Sequence, residues 1–189
     1  MFGIIGESKP DAVSVQTLIR RIRGASVPIH MAGMKGGGDI LKNGFKKLNM
    51  LLDLSCQSFV LCHDSDGKDP DEIRKALLAR VIKRSRVVSE CYCLVVPVQE
   101  IEAWILADVT CVTKKFSSWK PEEISNPERI DDPKEYLIRL SRKKTRPRYA
   151  PAVHNPQLME YLDLEKVRRK CPSFRPLYEF IANASSANN

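Results

Sequence analysis

An α/β fold built on a parallel-cored sheet flanked by helices is the class this sequence predicts, and three features point to it. Short apolar runs at residues 2–6, 27–32, 58–63 and 90–98 alternate with segments whose apolar residues recur at helical spacing. The stretch Cys91-Tyr92-Cys93-Leu94-Val95-Val96 is apolar without interruption, as in a strand covered on both faces. Strands joined through helices form right-handed crossover units and lie parallel.

Each element has its own signal. Phe2-Gly3-Ile4-Ile5-Gly6 is a short strand ending at Glu7, and Ser8-Lys9-Pro10-Asp11 is a turn and helix start. Val15, Leu18, Ile19 and Ile22 then fall on one helical face, and Gly24 closes that helix. A second strand at 27–32 leads into Gly33-Met34-Lys35-Gly36-Gly37-Gly38, a loop before Asp39 caps the next helix. Glycines beside Lys35 allow backbone amides to approach a phosphate, although the Lys-Ser/Thr ending of a Walker loop is absent. The helix over 39–54 buries Ile40, Leu41, Phe45, Leu48, Leu51 and Leu52. A central strand at 58–63 is followed by a helix over 70–86 with Pro70 at its start. After the strand at 90–98, residues 99–108 turn into a helix.

Beyond Asp108 the pattern loosens into a mostly helical C-terminal extension, with helices expected at 121–124, 133–142, 156–162, 164–169 and 173–181 and a frayed tail from Asn183. The division is an α/β domain over 1–112 and a helical, loop-rich extension over 113–189 packed on it. The densest basic run, Ser141-Arg142-Lys143-Lys144-Thr145-Arg146-Pro147-Arg148-Tyr149, is suited to following a phosphate backbone while Tyr149 stacks a base; a plain solvated loop explains it equally well.

The chemistry concentrates at strand ends. Asp64 and Asp66 follow the central strand two residues apart, and in extended chain such residues point to the same side. Two adjacent carboxylates repel unless a proton or a cation lies between them, and Mg²⁺ or Mn²⁺ favours such hard oxygen ligands. The plain alternative is an acidic turn, where Asp, Ser and Gly are ordinary residues. Parallel sheets bind ligands beyond the C-terminal ends of their strands, where Glu7, Asp64, Asp66 and one or both of Glu100 and Glu102 collect. Glu7 and Glu102 also suit helix N-termini, where a carboxylate meets the macrodipole. His63, next to Asp64, is expected on the opposite face as a buried, hydrogen-bonded imidazole. Trp104 and Trp119 read as packing residues.

Composition narrows the partners. A net charge of +8 favours a polyanion, nucleic acid above all, because Lys and Arg release counterions from phosphates. No apolar run reaches the ~20 residues a bilayer requires and no secretory signal opens the chain, so the cytoplasm is the expected compartment and no membrane partner is expected. Cys56, Cys62, Cys91, Cys93, Cys111 and Cys171 match no zinc spacing and read as reduced core residues.

Glu7 after Gly6, the Asp64-Ser65-Asp66 pair and Ile101-Glu102-Ala103-Trp104 together resemble a Toprim domain, the α/β module of topoisomerases, primases and OLD-type nucleases. More narrowly, the chain is similar to small bacterial Toprim-like proteins of unknown function, some encoded beside ATPases in phage-defence loci. The resemblance covers roughly residues 2–108; Cys171-Pro172-Ser173-Phe174 matches the narrower group less securely. It implies metal-dependent hydrolysis of nucleic acid, DNA or RNA. Asp64 and Asp66 would hold Mg²⁺ or Mn²⁺, Glu102 would complete the site or take a second ion, and Glu7 would be a ligand or the general base. Lys35, Arg142, Lys143, Lys144, Arg146 and Arg148 are the residues expected to meet the phosphates, and an ATPase is an implied partner. A non-enzymatic subunit of such an ATPase, or a nucleic-acid-binding module, keeps the same fold with a silent acid cluster. Asp64-Ser65-Asp66-Gly67 also echoes the Asp-x-Asp of haloacid-dehalogenase-like phosphatases. That motif follows the first strand of its family, whereas two strands precede it here and Lys occupies position 68.

Overall fold

The structure is a computed structural model that describes residues 1–142 and 148–184. Strands β1 (Phe2–Gly6), β2 (Ile29–Gly33), β3 (Ser58–Cys62) and β4 (Tyr92–Val95) form one sheet in the order β2-β1-β3-β4, every pair parallel. Because β1 is followed by a neighbour on one side and then by β3 on the other, the chain reverses its direction of travel between them. That reversal opens a crevice at the C-terminal ends of β1 and β3, the place where ligands bind in open α/β sheets. Register fixes what lies there: Ile5 is opposite Leu61 and Cys62 is opposite Val95, so Glu7 and Asp64 leave adjacent strand ends.

Alternate residues of the strands feed two cores. Phe2, Ile4, Val60, Cys62, Cys93 and Val95 face α1 (Lys9–Arg23), which is held by a capping box between Ser8 and Asp11. Ile5, Ala32, Phe59, Leu61 and Val96 face α2 (Gly37–Asp53) and α3 (Pro70–Arg80). Helix-covered on both sides, the sheet is the predicted α/β arrangement. The third helix stops at Arg80 rather than 86, giving way to a 3-10 turn at Ile82–Arg84. The expected strand at 90–98 is shortened, since Ser89–Cys91 coil into another 3-10 turn before β4. Gly36, at φ +90°, admits the chain to α2 ahead of Asp39, which is therefore not the cap; its Oδ2 accepts from Lys35 N at 3.0 Å and its Oδ1 from Asn43.

The C-terminal half is helical: α4 (Glu102–Ala107), α5 (Val112–Lys115), α6 (Pro133–Arg142), α7 (Pro151–Met159), α8 (Leu164–Lys170) and α9 (Arg175–Asn183). No helix forms at 121–124, which has no regular structure; a 3-10 turn follows at Pro127–Arg129. Expected at 156–162, α7 instead starts at Pro151, whose fixed φ suits a first turn, and it tolerates Pro156 within it. All of α4 is buried, and its Trp104 donates to Ser173 Oγ at 3.0 Å and meets Phe174 edge-on at 5.1 Å. Leu137, Leu158, Val167, Leu177 and Ile181 join the same core as Ile4 and Val60, so the helical half completes the cover of the first sheet face. Both Trp104 and Trp119 are packing residues, as expected. The six cysteines are free, five of them buried. Among the described residues no helix is long and apolar enough to cross a membrane.

Trp104 joins the sheet layer to the C-terminal helices, which makes it a sensitive probe of their interdependence. Trp104→Ala is expected to cost about 3–5 kcal/mol in chemical denaturation and to shift the whole molecule in one transition.

Candidate functional site

A cavity of about 490 Å³ opens at the reversal point of the sheet, lined by Glu7, Asp11, Asp64, Asp66 and Glu102 and by Lys35 and Lys134. All four sequence-selected acids therefore meet one space, each brought by a different route. Glu7 follows β1 directly. Its Oε1 accepts from the Asp64 backbone N–H at 2.9 Å and lies 2.9 Å from His63 Nδ1, and Gly37 at the start of α2 also donates to its carboxylate. Burial works to raise the Glu7 pKa. His63 and the two amides outweigh that and hold it below the usual carboxylate range. Glu7 thus occupies a helix N-terminus, but that of α2 rather than of the helix following it in sequence.

His63 is buried and hydrogen-bonded, as expected, yet it is not remote from the site. The β3–β4 ladder runs on through it, with His63 N bonded to Val95 O at 3.0 Å. Its ring then turns under Glu7, with Nδ1 2.6 Å from Asp64 O. Burial pulls the imidazole pKa down, and the Glu7 hydrogen bond and charge, with the Asp64 carbonyl and Asp66, lift it above its ordinary value. Space for the ring depends on Gly37, where a Cβ would fall 2.4 Å from His63 Nε2.

Asp64 is half-buried, and its Oδ1 accepts from Ile101 N at 3.1 Å. Burial pushes its carboxyl well above the ordinary range, and the charges of Glu102, Asp11, Glu7 and Glu100 push the same way. Asp66 reaches the cavity through a turn, not through extended chain as the spacing suggested. Lys68 N bonds back to Ser65 O at 2.9 Å, and the two central residues, Asp66 at φ +48° and Gly67 at φ +78°, are both left-handed. That is the pattern of a type I′ turn, with Asp66 exposed at its tip. Ser65, pointing inward, ties the turn to Val98 O, while Ser65 N and Asp66 N share Gln99 O at 3.1 and 3.2 Å.

The two glutamates after β4 separate cleanly. Glu100 is committed to Lys134, accepting from its backbone N–H at 3.1 Å and from its Nζ. Glu102 is buried on the cavity wall, with Oε1 accepting from Asn155 Nδ2 at 3.0 Å, and burial raises its carboxyl pKa. Asn155 accepts in turn from Tyr149 OH. Tyr149 is buried, so the base-stacking role suggested by its place beside the basic run does not hold. Burial opposes the Lys134 charge, and Glu100, Glu102 and Asp64 overcome it, holding the ammonium above its usual range. Asn155 and Lys134 escaped sequence reasoning because they lie on α7 and α6, with no local motif to announce them.

Of the residues expected to meet phosphates, Lys35 lines the cavity, Arg142 lies 3.6 Å from Glu135 and Arg148 is exposed. Lys143, Lys144 and Arg146 lie outside the described residues.

Among the described residues no three His, Cys, Asp or Glu side chains converge as a ready-made metal cage. Glu7 is drawn to His63, Asp64 to Ile101 and Glu102 to Asn155. The donor chemistry nonetheless fits a hard divalent cation: five carboxylates line the wall, Glu7, Asp11, Asp64, Asp66 and Glu102, and Asp64 and Glu102 both have raised pKa values that a bound cation would lower.

The chain belongs to the family DUF4276, a domain of unknown function, which it matches over residues 13–182. His63, Asp64, Asp66, Glu102, Lys134 and Asn155 fall within that span, and Glu7 precedes it. No curated protein and no solved structure matches the chain.

Crowding at Asp64 has a measurable sign. A carboxyl whose folded pKa lies above its unfolded 3.8 binds more protons folded than unfolded, so its contribution is full below pH 3.8 and is lost as pH rises through the folded value. Asp64→Asn, which keeps an acceptor for Ile101, should match wild type near pH 4 in metal-free urea denaturation. By pH 7.5 it should exceed wild type by on the order of 1–3 kcal/mol.

Proposed function

We propose that the chain is a metal-dependent phosphodiester hydrolase acting on nucleic acid, the activity implied by its resemblance to Toprim nucleases. The observation that supports this reading best is the meeting of Glu7, Asp64, Asp66 and Glu102 around one cavity at the reversal point of a parallel sheet. Asp64, Asp66 and Glu102 are the residues that would hold Mg²⁺ or Mn²⁺. Such an ion, when bound, supplies charge neutralisation at phosphoryl oxygens and lowers the pKa of a bound water.

The chain's own groups have distinct tasks in this reading. Asp66, exposed at the tip of its turn, meets an incoming substrate first, while Asp64 and Glu102 are fixed from behind by Ile101 and Asn155. Glu7 has its Oε1 engaged by both His63 and Asp64 N, which makes it a strut that sets the Asp64 backbone. His63 acts through Glu7 and is a positioning residue. Lys35 and Lys134 stand at the cavity wall as cations for a phosphate, although Lys134 must be shared with Glu100. An ATPase partner, implied by the same resemblance, would act on this unit from outside the cleft.

Incubation with single- and double-stranded DNA and RNA in Mg²⁺ or Mn²⁺ should yield cleavage products that vanish on chelation. Asp66→Asn should lower the rate by at least about a hundredfold, removal of a charged group from a phosphoryl-transfer site commonly costing that much. Equal cleavage by variant and wild type, or none by either on every substrate, would overturn the assignment and leave the non-enzymatic subunit as the reading.

A further inference from the structure

Helix α2 borders a second feature with its own chemistry, outside the acid cavity. Helices α2 and α3 approach closely where Gly44 meets Val81, since a Cβ on Gly44 would lie 3.0 Å from Val81 Cγ1. Alongside that contact runs a groove of about 610 Å³ lined by Lys42, Lys46, Arg80 and Arg84, with Asn43 and Phe45 between them and no carboxylate in its wall. Lys42 and Lys46 are four apart on α2 and so share a face. Arg80 ends α3 and Arg84 ends the 3-10 turn after it, forming the opposite bank.

All four cations are exposed, and none is ion-paired among the described residues. Their neighbours differ: Arg74 is tied to Asp71 at 2.6 Å and Arg86 to Asp53 at 2.5 Å. The Arg84 guanidinium carbon sits over the Phe45 ring, 3.9 Å from its centroid, and Lys46 Nζ is 5.9 Å from the same centroid. That contact restrains the Arg84 guanidinium, lowering the entropy lost when it grips a ligand. The groove also adjoins the cleft at the start of α2, since Gly38 lines the groove and Gly36 lines the acid cavity.

We propose that this α2–α3 groove is a nucleic-acid contact surface, in which Lys42, Lys46, Arg80 and Arg84 neutralise successive phosphates of one backbone. Four unpaired cations spread along two banks suit an extended polyanion better than a single phosphate. Their concave setting, with only Leu41 and Phe45 as apolar lining, gives a flat bilayer little to insert. The assignment concerns binding and stands whether or not the acid cleft cuts.

Fluorescence anisotropy with labelled single-stranded and duplex DNA and RNA oligonucleotides, in EDTA and over a salt series, separates the two questions. Lys42→Gln with Lys46→Gln, and Arg80→Gln with Arg84→Gln, should each weaken binding regardless of sequence and flatten the slope of log K against log salt by about two. Lys114→Gln with Lys120→Gln removes the same charge from another exposed surface and should leave that slope unchanged. Thermal unfolding of every variant guards against misfolding; should loss of the Phe45 contact unfold the arginine pair, the lysine pair alone decides. Groove variants that bind like the control pair, or a wild type without salt-dependent affinity for any oligonucleotide, would overturn the proposal. So would groove variants that bind every oligonucleotide like wild type but lose affinity for phosphatidylserine vesicles in a parallel co-sedimentation assay.

Discussion

Parallel pairing of β1 with β3 is the constraint on which the rest of this molecule turns. It places the residue after Gly6 beside the residue after His63, and there the Asp64 amide donates to Glu7 at 2.9 Å. Once that bond forms, Asp64 is directed into a space already occupied by negative charge from Asp11, Glu100 and Glu102. The fold therefore holds a carboxyl where it is electrostatically unfavourable. Stability alone does not account for such an arrangement, because an amide at the same position would satisfy Ile101 equally well.

The supporting layer has a clear division of labour. On one sheet face, α2 brings Gly37 under His63 and so lets the ring reach Glu7; any side chain there would drive it away. On the other face, α4 is wholly buried and offers Glu102 from a rigid position, with Asn155 of α7 holding one oxygen. The helical C-terminal half is thus part of the site as well as part of the core. Lys134 of α6 lines the same cavity, and Tyr149 braces it from behind by donating to Asn155.

Much of this was legible in the chain before any coordinates. Apolar runs of strand length between helical repeats set the α/β class, and the rule that parallel strands deliver ligands at their C-terminal ends was enough to bring Glu7, Asp64 and Asp66 together. What could not be read were features decided by tertiary contact. The Asp64–Asp66 spacing suggested extended chain, but Gly67 allows a left-handed turn and Asp66 shares it. Period-two reasoning sent His63 to the face opposite Asp64, and its ring does lie on the α2 side against Gly37; what spacing could not show is that Glu7 meets it there. Spacing alone left Glu100 open beside Glu102, the residue the resemblance favoured; Lys134 of α6 engages Glu100 and leaves Glu102 on the cavity wall. Tyr149 stood next to a basic run in sequence and yet is buried, its hydroxyl donating to Asn155.

Across the molecule, charge is arranged in opposites on either side of the start of α2: crowded carboxylates in the cleft and unpaired cations in the groove. A cation in the first would reconcile the two by making the cleft hospitable to the phosphates that the second attracts. The most direct measurement is an anomalous difference map from crystals soaked in Mn²⁺. A peak within about 2.0–2.6 Å of oxygens of Asp64 and Asp66 or Glu102 is the predicted result. A cleft without a peak in crystals that bind Mn²⁺ elsewhere, or a peak that survives unchanged in Asp64→Ala, would contradict it.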